Sequence, residues 1–134
     1  MEFLIDTCVW IDHLRPRTPP KIRQVADEAV NRPAAVLCEP VWFELLRLCP
    51  KSERAGLERR LLTLPVLTTP IDLWRKATGF GQKCQDAGIQ AGFADLIIAT
   101  ICRHHEATLV TFDLHFRLMA EVIQFKTDFL ARPA

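Results

Sequence analysis

Asp95 stands on the apolar face of a helix candidate. Ile98, Ala99 and Cys102 follow it by three, four and seven positions and therefore share its side. Burying a lone carboxylate is costly, so an acid placed there needs a reason. His104-His105-Glu106 closes the helix, Ala107–Val110 reads as a short buried strand, and Thr111-Phe112-Asp113 sits at that strand's carboxyl end. A helix feeding a buried strand, with acids at element ends, points to an α/β chain, where sites lie at strand carboxyl ends. The plain alternatives are an acid placed near a helix N-terminus and a turn aspartate.

The rest of the chain repeats this pattern. Phe3-Leu4-Ile5 is an apolar run ending at Asp6, and Thr7–Ile11 continues helically until Pro16. Asp6 lies at a strand end, or serves only as a helix cap. Arg15, Arg17, Lys21 and Arg23 surround a proline-rich loop, and Gln24–Asn31 is a second helix candidate. Ala34–Cys38 is a second buried strand, and Glu39-Pro40 opens a helix. On it, Glu44 falls between Val41 and Leu48 on the apolar side, or else pairs with Arg47 one turn on. Glu53–Leu62 is a helix, Leu64–Leu67 a third strand, and Pro70–Ala87 a long helix with Trp74 and Ala77 inward. After Asp113 come a helix over Leu114–Ala120 and a last strand over Val122–Phe125; the tail from Lys126 carries no signal. Short strands alternating with helices predict a mainly parallel sheet covered on both faces. Right-handed crossovers then bring the ends carrying Asp6 and Asp113 to a common edge.

Composition bounds the function. A chain of 134 residues, 49% hydrophobic and 25% charged, is expected to form one domain over 1–134. A formal charge of +1 argues against a nucleic-acid binder acting through bulk charge, though not against local basic patches. No apolar run approaches the ~20 residues of a membrane helix, and no signal peptide is visible, so a cytoplasmic protein is expected. Five cysteines form no C-x-x-C pair and are expected to be reduced core residues, which disfavours zinc.

Asp6, Glu44, Asp95 and Asp113 thus hold positions that suggest convergence. Close carboxylates repel and hold protons unless a cation is present, and clustered hard oxygens favour Mg²⁺, or Mn²⁺, over zinc. Such ions suit phosphodiester cleavage. Four stretches carry a family resemblance: Leu4–Asp12 (LIDTCVWID), Val41–Leu46 (VWFELL), Gly92–Ala99 (GFADLIIA) and Thr108–Phe116 (TLVTFDLHF). Together, in this order, they resemble a PIN domain of the VapC type, the toxin ribonuclease of a bacterial toxin–antitoxin pair.

The resemblance implies a three-layer α/β sandwich and a metal site of Asp6, Glu44, Asp95 and Asp113, with Thr7 and Thr111 as supporting polar residues. Many relatives carry an acid where this chain has His115. It implies Mg²⁺-dependent RNA cleavage, a VapB-like antitoxin partner, and a homodimer that enters larger toxin–antitoxin assemblies. Arg15, Arg17, Lys21 and Arg103 are the candidate RNA contacts. Asp12 and His13 are expected on an exposed helix end, and the three tryptophans in packing or interfaces. A haloacid-dehalogenase-like phosphatase would need an acid where Cys8 stands, and a response-regulator receiver its aspartate on a later strand. The other reading is a PIN fold that binds RNA or a partner without cutting.

Overall fold

The computed structural model describes residues 1–134. Strands β1 (Phe3–Ile5), β2 (Ala35–Cys38), β3 (Val66–Leu67), β4 (Thr108–Thr111) and β5 (Lys126–Phe129) form one sheet in the order β3-β2-β1-β4-β5. Every pairing is parallel. Helices α1 (Thr7–Leu14), α2 (Pro20–Val30), α3 (Glu39–Leu48), α4 (Arg54–Leu61), α5 (Leu73–Asp86), α6 (Phe93–His104) and α7 (His115–Ile123) fill the connections. A single 3₁₀ turn, Lys51–Glu53, precedes α4. No helix is long and apolar enough to cross a membrane.

The strands form where the chain is apolar on both sides. Leu4, Ile5, Val36, Leu37, Leu109 and Val110 are all buried, as a sheet covered on two faces requires. Helices α1 to α4 pack on one another, as do α5 to α7. Right-handed crossovers assign these two groups to opposite faces, because the strand order reverses at β1. Trp10 and Phe116 are the largest fully buried side chains.

Strand β1 lies at the centre, with Leu4 opposite both Val36 and Leu109. The chain moves outward from β1 through β2 and β3, then returns to β4 and β5. The gap between the carboxyl ends of β1 and β4 is therefore the switch point of the sheet, the usual place for a site.

Several boundaries differ from those the sequence suggested. Helix α2 starts at Pro20 rather than Gln24, because proline fits the first turn, whose N–H groups have no partner anyway. Val122 and Ile123 belong to α7, whose buried residues Phe116, Met119 and Ile123 keep helical spacing. Gln124 ends that helix in the left-handed region, at φ 63°. The last strand is Lys126–Phe129, in the tail that had carried no signal. Trp74 points outward: α5 begins at Leu73, and its buried line is Leu73, Ala77 and Cys84. His13 is not on a free helix end, because its ring lies between Asp27 and Arg60.

Candidate active site

Asp6 is the first residue past β1. Its N–H still bonds the Val110 carbonyl at 2.9 Å, which extends the ladder, while its side chain caps α1. Oδ1 accepts the Thr7 N–H at 2.8 Å. Oδ2 accepts the Thr111 hydroxyl at 2.7 Å and the Cys8 thiol at 3.3 Å. Only 6% of the residue is exposed. Burial pushes its pKa up, those three donors pull it down, and the charge of Glu44 adds to the rise. Capping and a place in the acidic site are not rivals at this position.

Thr111, fully buried at the end of β4, links two acids. It donates to Asp6 and accepts the Asp113 N–H at 2.9 Å. Asp113 is exposed on the following turn, where Oδ1 accepts the His115 N–H at 2.9 Å. Thr7 makes the second link, donating its hydroxyl to Glu44 Oε1 at 2.9 Å. Glu44 is half-buried on α3 and forms no ion pair with Arg47, whose guanidinium lies over the Phe43 ring.

Asp95 occupies the first turn of α6. Its pKa is raised to about 6, first by burial, then by the charges of Asp6, Asp113 and Glu44, with His115 acting in the opposite sense. The fold brings these four acids, from four separate segments, close enough for their charges to act on Asp95. No three His, Cys, Asp or Glu side chains are yet close enough to enclose a metal ion as they stand. The acids form a loose cluster rather than a closed cage, with Asp6 buried, Glu44 and Asp95 half-buried and Asp113 exposed, as expected of carboxylates that repel one another.

Two further residues belong to this neighbourhood. The His115 ring bonds the Gln90 carbonyl and so ties the turn after β4 to the loop leading into α6. Cys8, expected simply to pack in the core, faces both Asp6 and Thr111. Burial first, then the Asp6 charge, pushes its pKa to about 12, so it stays a neutral thiol. Its position two residues after Asp6, in the first turn of α1, was the available sign.

A groove of about 490 Å³ adjoins Glu44 between α1, α3 and α4. Ile11, Leu14, Leu45 and Leu57 give it an apolar lining, with Arg15 and Arg60 at its walls. Arg15 shares the groove with Glu44, while Arg17 and Lys21 are exposed on the neighbouring segment. Arg103 is elsewhere: it bonds the Ile123 carbonyl and lies over Phe80, eight residues along α6 from Asp95. That places its backbone roughly 12 Å further down the helix axis.

The PIN domain model matches residues 3–122. The chain belongs to the PIN domain family. Among solved structures, VapBC2 from Rickettsia felis bound to a promoter DNA fragment is similar at TM-score 0.75 and 17% identity, covering 98% of this chain and 100% of that one. DNA-bound VapBC from Salmonella typhimurium is similar at TM-score 0.71 and 19% identity, over 96% and 98% of the two chains. FitAcB from Neisseria gonorrhoeae is similar at TM-score 0.70 and 18% identity, over 96% of each. No curated protein sequence matches the chain.

Proposed function

We propose that this chain is a Mg²⁺-dependent endoribonuclease, with Mn²⁺ as the alternative ion, and the toxin of a type II, VapBC-type pair. The observation that carries the reading is the placement of four acids at the switch point of a PIN fold: Asp6 at the end of β1, tied through Thr111 to the Asp113 turn and through Thr7 to Glu44, with Asp95 in the first turn of α6. The donors suit the ion: all are hard carboxylate oxygens, and Mg²⁺ keeps several waters and needs only one or two carboxylates directly. A loose cluster is compatible with that demand, whereas a closed cage is not required. Asp6, Glu44, Asp95 and Asp113 would hold the ion. When bound, it supplies an activated water and shields the charge on the attacked phosphate and departing oxygen.

The protein's own groups do the rest. Thr111 and Thr7 fix Asp6 and Glu44 by donating to them, so those carboxylates keep their lone pairs aimed. Without the ion, burial and the neighbouring acids raise the Asp95 pKa to about 6; a bound cation would favour its ionised form. Arg15, beside the groove, and the exposed Arg17 and Lys21 are the proposed contacts to RNA phosphates.

The partner is proposed to be a small antitoxin, because the similar structures are of toxin–antitoxin complexes. An arginine from it would satisfy two carboxylates through its planar fork, while an apolar segment fills the groove beside α3. The site of action is proposed to be the cytoplasm. The test is cleavage of RNA by purified protein with and without Mg²⁺, beside Asp6→Asn and Asp95→Asn. Loss of cleavage in both variants, with the melting temperature kept, supports the reading. RNA retained but never cut supports the non-catalytic binding module instead.

A further inference from the structure

Two aromatic rings stand in the open where α5 meets the start of α6. Trp74 on α5 is 62% exposed and Phe93 on α6 is 72% exposed. Their ring centroids are 5.9 Å apart and their planes differ by 25°, so they form an offset stack. Phe93 opens α6, and Asp95 lies in the same first turn. Folding normally hides such rings, and here a large π-face is left in water two residues along α6 from Asp95. Arg75, next to Trp74, is exposed and enters no ion pair.

We infer that the Trp74–Phe93 stack is a platform for an unpaired RNA base next to the cleaved phosphate, with Arg75 meeting the backbone. This rests on the ribonuclease reading above. The chemistry favours a base over a second copy of the chain. Two rings of this size present on the order of 300 Å², while a stable protein interface buries roughly 800 Å² per partner. A flat ring pair extends a base stack directly, and each stacked base contributes without regard to sequence. A neighbouring cation supplies the phosphate contact that an acidic cluster cannot. Bases in a duplex are already stacked on both faces, so the platform selects single-stranded segments.

The experiment measures binding and cleavage separately. A short, unstructured 2′-O-methyl oligonucleotide is titrated, without divalent metal so that no cleavage occurs, onto wild type, Trp74→Ala, Phe93→Ala, Trp74→Phe and Phe93→Tyr. Both alanine variants should bind about tenfold or more weakly while melting like wild type, since the rings are exposed. The two aromatic replacements should keep affinity within about twofold, because a π-face remains. A matching duplex should bind wild type and Trp74→Ala alike. Equal affinity of wild type and both alanine variants overturns the platform. So does a change from dimer to monomer in light scattering with affinity per protomer unchanged, which assigns the rings to a contact between copies. If the all-ribose oligonucleotide is never cut yet the alanine variants bind weakly, the platform stands and the nuclease reading falls. If it is cut at unchanged KM by both alanine variants, the nuclease stands and the platform falls.

Discussion

Thr111 makes the case at the level of single residues. It supplies one of three donors to a carboxylate that is almost out of water, and it also receives the Asp113 N–H. Thr111→Val keeps the shape and removes both, and the protein should lose about 1–3 kcal/mol in chemical denaturation. Asp95 gives a pH signature. Its folded pKa of about 6 lies above the ordinary aspartate value of 3.8, so between those two values the folded state holds the extra proton. Stability of the metal-free protein should therefore fall as pH rises through that window, and Asp95→Asn should flatten the dependence. Added Mg²⁺ should raise the melting temperature more at pH 7.5 than at pH 5, because the ion needs the ionised form. Differential scanning calorimetry at several pH values checks both. At this scale the sequence revealed the acids readily, since Asp6, Glu44, Asp95 and Asp113 each break an apolar pattern. It hid Cys8 and His13, whose surroundings come from distant segments: Thr111 for the one, Asp27 and Arg60 for the other.

Elements were legible where their faces differ and illegible where they do not. Strands β1, β2 and β4 are buried apolar runs, visible in sequence. Strand β5 is Lys-Thr-Asp-Phe, an edge strand that pairs with β4 but buries no residue fully, so no hydrophobic pattern marks it. Its position is set by the turn before it. Ala34, Glu106 and Gln124 all have positive φ, and each lies one or two residues ahead of a strand. These turns hold L-residues in a conformation that glycine adopts freely. Gln124→Gly should stabilise the protein by roughly 0.5–1 kcal/mol, the left-handed strain less the glycine's added chain entropy. A thermal melt decides it, and a destabilised variant would show that the Gln124 side chain matters more than its backbone.

At the level of the whole molecule, two surfaces leave apolar side chains in water. Trp42 and Phe43 face outward on α3, and the sequence's expected stripe of Trp42, Leu46 and Cys49 is only partly covered. We expect a two-fold homodimer in solution, with Trp42→Glu shifting it to monomer by light scattering. The groove's lip is Leu48, 62% exposed and one turn from Glu44. Leu48→Glu should weaken a co-expressed antitoxin by about tenfold or more and leave cleavage by the free protein intact, measured after purification of each. The order of the strands has a consequence for synthesis. Central β1 is the first strand made, yet its neighbour β4 arrives about a hundred residues later, and Asp95 and Asp113 come with that second half. A chain still on the ribosome can pair β1 with β2 and β2 with β3, but it carries only Asp6 and Glu44. The four acids come together only when nearly all of the polypeptide has emerged, so a nuclease built on them, as proposed above, gains its site at release rather than during translation.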